Sequence, residues 1–127
     1  MHLHPYLIFP GTCREALRHY ERALGGTIDL LQTVGESHLP HEPEHADRIF
    51  HSNFVAGNVR FGASDGEVGK DPVTGQNFSM FLTVPDAERQ SQVFDVLGDG
   101  GSVIFPLNQG FGMVEDRFGV RWMIAAG

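Results

Sequence analysis

Two segments of this chain repeat one pattern, and the duplication limits the folds that it can adopt. Residues 6–28 read YLIFPGTCREALRHYERALGGTI, and residues 80–104 read MFLTVPDAERQSQVFDVLGDGGSVI. Each segment has a short β-rich run, a turn at proline, a helix with one apolar face, and glycines before the next strand. Two further β-rich runs follow each segment. We therefore predict an α+β fold made of two β-α-β-β-β modules.

The two modules are separated by a stretch rich in glycine and proline. We place the first module at about residues 1–65, a linker at 66–76 and the second module at about 77–127, all within one domain. A twisted four-stranded sheet buries one face under its helix and needs a cover for the other face. Two modules that face each other would make a curved, cup-shaped mixed sheet with the helices on its outer face.

Local signals place the ends of the elements. The first helix is predicted to start at a capping box of Thr12 and Glu15 and to end at Gly25 and Gly26. The second is predicted to start at a cap from Asp86. Strands are expected at residues 3–9, 27–33, 49–55, 59–64, 78–84 and 102–105, and in a closing hairpin within 110–124.

The closing hairpin has a turn with recognisable chemistry. Asp116 can accept hydrogen bonds from the backbone that follows it, and Gly119 can take the positive φ that a tight loop requires. Val120 and the residues after it then form the last strand.

Composition excludes some classes of function. Nine Lys and Arg against 16 Asp and Glu give a net charge of −7, and the basic residues are scattered. Nucleic-acid binding needs a basic face, so we exclude it. No apolar run is long enough for a membrane span, and a single cysteine agrees with a reducing compartment. We therefore predict a cytoplasmic protein that has no membrane partner.

Three runs of residues carry a family resemblance. The run EDRFGVRW at 115–122 resembles the D-P-F-G-x-R-W ending of PhnB-like proteins, a branch of the glyoxalase/bleomycin-resistance (vicinal oxygen chelate) superfamily, with Arg117 at the usual proline. Residues 4–26 resemble the first strand and helix of that family, and residues 48–65 resemble its third and fourth strands. The resemblance implies the cup architecture, a small organic ligand and a homodimer.

The resemblance also gives the positions at which metalloenzymes of the superfamily hold their ion. By position these are His4, Phe61 or Ala63, Ser79 and Met123. Only His4 is a plausible ligand for a divalent ion, whereas a catalytic metal needs about three N, O or S donors. We therefore predict no cofactor, and a divalent metal held elsewhere is the alternative.

Candidate ligand contacts are side chains that strand alternation and the resemblance place on the inner face of the cup. They are His4, Tyr6, His51, Asn53, Ser79, Phe81, Phe111, Met113, Arg121 and Met123. His51 stands at the His of the family's I-M-H-A run, and with Asn53 it offers polar groups to a ligand. Arg121 has two interpretations: an inward group that binds an anion, or a rim residue paired with Glu115 or Asp116.

Two other features are interpreted as structural. His38, His41 and His45 lie in a loop with two prolines, which we interpret as a solvated flap and not as a zinc site. Cys13 opens the first helix with no base near it in the sequence, so we assign it to packing.

The leading hypothesis is a homodimeric domain that binds a small, partly apolar organic molecule without a catalytic metal. One alternative is a metal-dependent isomerase, lyase or dioxygenase of the same superfamily, and another is a resistance protein that sequesters a drug. Members of the family are sometimes labelled ubiquinone-pathway methyltransferases. The chain has no strand followed by a glycine-rich cofactor loop, so we do not adopt that activity. The sequence leaves open whether a reaction follows binding.

Overall fold

Each half of the chain folds as one strand, a helix and three further strands, as the duplication predicts. The computed structural model describes residues 1–127 as an N-terminal unit, Met1–Pro72, and a C-terminal unit, Val73–Gly127. The N-terminal unit contains β1 (Tyr6–Ile8), α1 (Cys13–Leu24), β2 (Thr27–Thr33), β3 (Ile49–Ala56) and β4 (Val59–Ser64). The C-terminal unit contains β5 (Met80–Val84), α2 (Ala87–Gly98), β6 (Ser102–Asn108), β7 (Phe111–Glu115) and β8 (Arg121–Ala126).

The two sheets share one topology. Their strand orders are β1-β4-β3-β2 and β5-β8-β7-β6, so the first strand of each unit lies beside the last. That pair is parallel in both units, and the other neighbours are antiparallel. The predicted α+β fold with two mixed-sheet modules is confirmed. No helix reaches the length and apolar character needed to cross a bilayer.

In the N-terminal unit, α1 covers one face of the sheet with aromatic contacts. Tyr20 of α1 meets Phe61 of β4 edge to face, with ring centroids 5.7 Å apart, and Phe61 stacks on Phe54 of β3 at 4.9 Å. All three side chains are fully buried. Edge-to-face and offset pairs of this kind add to the stabilisation that comes from buried apolar area. The opposite face of this sheet is not covered by α1.

In the C-terminal unit, α2 covers the equivalent face. Trp122 and Ile124 of β8 and Val114 of β7 are buried beneath it. The Gln90 side-chain amide on α2 also donates a hydrogen bond to the Ile124 carbonyl at 3.0 Å, which satisfies a buried polar group and fixes the helix to the sheet.

The start of α1 differs from the prediction. Thr12 is the N-cap residue, but its side chain makes no capping hydrogen bond, so the predicted box with Glu15 is wrong. Asp65, just after β4, accepts from the Cys13 amide and from the Ile49 amide, each at 2.8 Å. This buried carboxylate satisfies a free amide of the first helical turn from outside the helix, and it ties the helix to β3.

The other local signals are confirmed. Asp86 accepts from the Arg89 amide at 2.8 Å and caps α2. Asp116 accepts from the amides of Phe118 and Val120, and Gly119 has a φ of +88°. Some strand ends moved: β1 and β5 are shorter than predicted, β6 continues to Asn108, and β8 continues to Ala126.

Candidate ligand-binding faces of the two sheets

The candidate residues of the N-terminal unit lie on the sheet face opposite α1, here called its far face. Directly paired residues share a face of a sheet. Tyr6 pairs with Gly62, Gly62 with Asn53, and Asn53 with Leu30. His51 lies two residues from Asn53 along β3 and therefore has the same orientation. Tyr6, His51 and Asn53 therefore lie together on the far face.

Tyr6 and His51 form a hydrogen-bonded aromatic pair on this face. The Tyr6 hydroxyl lies 3.0 Å from His51 Nδ1, and the two rings are parallel with centroids 5.6 Å apart. Gly62 makes the pair feasible, because a Cβ on Gly62 would lie 2.5 Å from Tyr6 Cδ2. The glycine lets the phenol ring lie flat over β4 and reach β3.

A polar group without a partner lies beside this pair. Asn53 is half-buried, and its side chain makes no hydrogen bond within the chain. A carboxamide can both donate and accept, as can the Tyr6 hydroxyl. The far face of the N-terminal unit therefore offers several convergent hydrogen-bonding groups next to aromatic surface, which is typical of small-molecule sites.

An apolar row crosses the far face of the C-terminal sheet, opposite α2. Phe81 pairs with Met123, Met123 with Met113, and Met113 with Phe105, so one large apolar side chain comes from each strand. Phe81 and Phe105 remain 63% and 55% exposed. Met113 within the row is buried. Large apolar side chains that stay exposed at both edges of a sheet face are typical of a contact site for a ligand or another surface.

The other candidates of the C-terminal unit have different surroundings. Arg121 shares the far face with Met123, but its Nε lies 3.3 Å from Glu115 Oε1 in a directly opposed pair. Its charge is thus balanced by Glu115. Phe111 lies on the same face of β7 and is half-buried, whereas Ser79 is exposed just before β5.

Two positions that the resemblance placed in the cup lie elsewhere. Phe61 and Ala63 are fully buried on the face that packs against α1. Their place on the far face is taken by Arg60, Gly62 and Ser64, because adjacent strand residues point to opposite faces. The alternation Arg-Phe-Gly-Ala-Ser within β4, with a mid-strand glycine, was the signal that could have shown this.

The donor chemistry of the far faces does not suit a catalytic metal. On the N-terminal sheet His51 has Tyr6 and Asn53 as its polar neighbours, and on the C-terminal sheet the Glu115 carboxylate is paired with Arg121. Across residues 1–127 no three His, Cys, Asp or Glu side chains form a group that could hold an ion. The residues present do not fit the divalent metal ion that the family resemblance implies.

The histidine-rich loop has short-range contacts. Pro43–His45 forms a single 3-10 turn, and His45 lies 3.5 Å from the adjacent Glu44. His41 Nδ1 lies 3.0 Å from the Leu39 carbonyl, so the two histidines have separate partners.

Cys13 is buried in α1, which agrees with its assignment to packing. Its thiol is fully enclosed, and burial raises its pKa from 9.0 to about 12, with the charge of Asp65 adding to the effect. The nearby Ser52 and Arg14 act in the opposite direction. The thiol is therefore protonated and chemically inert in the folded protein.

This shift predicts how stability depends on pH. The folded chain holds the Cys13 proton more tightly than the unfolded chain, so the stabilisation is complete below pH 9 and is lost as pH rises towards about 12. The loss approaches about 1.4 kcal/mol per pH unit within that window. We expect the difference in unfolding free energy between wild type and Cys13→Ala to shrink from pH 8 to pH 10.5 in urea titrations. A difference that stays constant over this range would show that the thiol is not shifted.

Comparisons with known proteins agree with one another. A family model described as 3-demethylubiquinone-9 3-methyltransferase matches residues 1–125. Protein YjdN of Escherichia coli (strain K12) is 30% identical over 140 residues, which cover 98% of this chain and 94% of YjdN. Among solved structures, protein PA1353 from Pseudomonas aeruginosa superposes with a TM-score of 0.90 at 36% identity, covering 99% of this chain and 97% of the other. The PhnB protein from Bacillus cereus gives a TM-score of 0.84 at 21% identity over the full length of both chains.

Proposed function

Because this chain belongs to the PhnB-like family, whose model is described as 3-demethylubiquinone-9 3-methyltransferase, we propose that it binds a small, partly apolar organic molecule without a catalytic metal. The observation that carries the proposal is the Tyr6–His51 pair held over Gly62 beside the unpaired Asn53. These groups lie on a sheet face that no helix of their own unit covers.

The roles of the side chains follow from their chemistry. The Tyr6 hydroxyl and the Asn53 carboxamide orient a polar group of the ligand, and the ring of Tyr6 takes its apolar part. His51 holds the Tyr6 ring in position through its hydrogen bond of 3.0 Å. On the C-terminal sheet, the row that contains Phe81 and Met123 is an apolar surface suited to a ligand or to the second subunit of a homodimer.

We assign no methyl transfer to this chain. The connection between β1 and α1 has the sequence FPGT at residues 9–12. It lacks the glycine-rich loop with which strand–helix folds hold a nucleotide cofactor. Binding, and not a particular reaction, is what the far-face residues support.

A thermal-shift screen of untagged protein against small aromatic, cationic and anionic compounds tests the proposal. A ligand present at 100 times its Kd should stabilise the fold by about 2.7 kcal/mol, a shift of several degrees in Tm. If an antibiotic were the strongest ligand, drug sequestration would become the function of the site. A screen without stabilising compounds would refute binding, and stoichiometric metal in elemental analysis would favour the enzyme alternative.

Gly62→Ala should weaken binding of any screened ligand at least tenfold while leaving the fold intact. The new Cβ would collide with the Tyr6 ring, which is 43% exposed and can rotate away, so the bond to His51 is lost at little cost in stability. Isothermal titration calorimetry measures the change. Gly69→Ala is the control for affinity, since its Cβ would meet nothing within 4 Å and the φ of +80° costs only left-handed strain of about 1 kcal/mol. Equal affinities for the two variants would show that Tyr6 does not contribute to ligand binding.

A further inference from the structure

A groove with basic side chains opens at one end of the far face of the N-terminal sheet. It has a volume of about 540 Å³ and is lined by His2, Leu3, His4, Pro5, Asn58 and Arg60. The segment before β1 forms one wall, and the β3–β4 turn with the start of β4 forms the other. The volume is in the range of sites for small organic ligands.

The polar side chains of the groove include no carboxylate. Arg60 is exposed and makes no hydrogen bond or ion pair within the chain. Two other arginines of the chain are paired, Arg117 with Asp99 at 2.9 Å and Arg121 with Glu115. In a chain with a net charge of −7, an unpaired guanidinium in a groove that His2 and His4 also line is a local site for negative charge.

The groove lies next to the Tyr6–His51 pair along β1 and β4. Arg60 and Gly62 are two residues apart on β4, so they share the far face at a spacing of about 6.6 Å. Tyr6 lies directly over Gly62. An oxyanion bound at Arg60 is therefore about one small ring away from the aromatic surface of Tyr6.

We propose that the groove binds the oxyanion of a small organic acid, a phosphonate, phosphate monoester or carboxylate, whose ring or chain lies on Tyr6. Arg60 donates two parallel hydrogen bonds to the oxyanion, and the His4 imidazole and the Asn58 amide donate others. This inference rests on the proposed function and narrows its ligand to an organic anion.

The test is an NMR titration of ¹⁵N-labelled protein with phenylphosphonate, benzoate, methylphosphonate and neutral benzyl alcohol. We expect phenylphosphonate to bind at least tenfold more tightly than benzyl alcohol, with amide shifts at Arg60 and Tyr6. The comparison of phenylphosphonate with benzoate distinguishes a phosphorus oxyanion from a carboxylate. Added salt should weaken the binding of all three anions and leave the binding of benzyl alcohol unchanged.

Arg60→Gln should abolish the preference for anions, and Arg60→Lys should keep only part of it because lysine cannot form the paired hydrogen bonds. Arg18→Gln is the matched control: it removes the same charge from an exposed position of α1, which covers the opposite face of the sheet. Arg60 is exposed as well, so neither change should disturb folding, which amide spectra without ligand verify.

The outcomes separate this inference from the function on which it rests. Equal binding of phenylphosphonate and benzyl alcohol, or equal losses for Arg60→Gln and Arg18→Gln, would overturn the anion site and leave small-molecule binding intact. Methylphosphonate binding that depends on Arg60, with no aromatic compound bound, would support the anion site and refute the role of Tyr6. Failure of all four compounds to bind would overturn the inference.

Discussion

Replacing either Gly26 or Gly101 by alanine is expected to cost about 4 kcal/mol or more, enough to prevent stable folding. These glycines follow the two helices at equivalent points of the duplication. A Cβ on Gly101 would overlap the Glu115 carbonyl oxygen and lie 2.8 Å from the Asp116 carbonyl carbon. A Cβ on Gly26 would overlap the Val55 carbonyl oxygen and lie 2.7 Å from Ala56 Cβ.

The loss of stability is large because the added Cβ overlaps backbone atoms. The tip of a flexible side chain can move aside. The backbone of a central strand cannot do so without breaking the hydrogen bonds between that strand and its neighbour. Gly57→Ala is the matched control, because Gly57 has a φ of +59° and open space around it. Its cost is only the left-handed strain of about 1 kcal/mol. Circular dichroism and urea unfolding compare the three variants. Similar stabilities for Gly57→Ala and Gly101→Ala would show that the close approach is not required.

Asp116→Ala is expected to lower the free energy of unfolding by about 4 kcal/mol. Its buried carboxylate accepts from the Phe118 amide at 2.9 Å, the Val120 amide at 3.0 Å and the Trp122 indole N–H at 2.9 Å. Alanine removes the acceptor shared by these three donors, and bonds to an ionised acceptor are among the stronger ones. Asp116→Asn should have a smaller effect, since one amide oxygen remains.

Fluorescence of Trp122 during urea unfolding measures this loss, since it is the single tryptophan of the chain. Asp95→Ala, at an exposed position of α2, is the control and should change the unfolding free energy by less than about 0.5 kcal/mol. An Asp116→Ala variant as stable as Asp95→Ala would mean that the carboxylate does not hold the loop.

Local patterns predicted the features that depend on residues close in sequence. Gly25 ended α1 as expected, with a left-handed φ of +71°. The Asp116 loop is equally local. The cap of α1 was missed because its acceptor, Asp65, lies 52 residues away from Cys13. No short motif shows a contact made only after the sheet has formed.

The sequence likewise predicted only those features of the candidate site that depend on a single strand. Alternation along β3 placed His51 and Asn53 on one face, and the family resemblance placed Met123 on the inner face of the last strand. The parallel pairing of β1 with β4 could not be read from either strand alone, and it brings Tyr6 over Gly62. Phe61 and Ala63 were placed in the cup by the family resemblance, although alternation along β4 assigns that face to Arg60 and Gly62.

The central claim is that this chain binds a small organic molecule with its own side chains and no metal ion. The most direct test measures, by calorimetry, the affinity of the strongest compound from the screen before and after exhaustive dialysis against EDTA. We predict the same Kd in both samples, and no change when zinc, nickel or manganese is added. Binding that disappears with EDTA and returns with one equivalent of a divalent ion would contradict the claim.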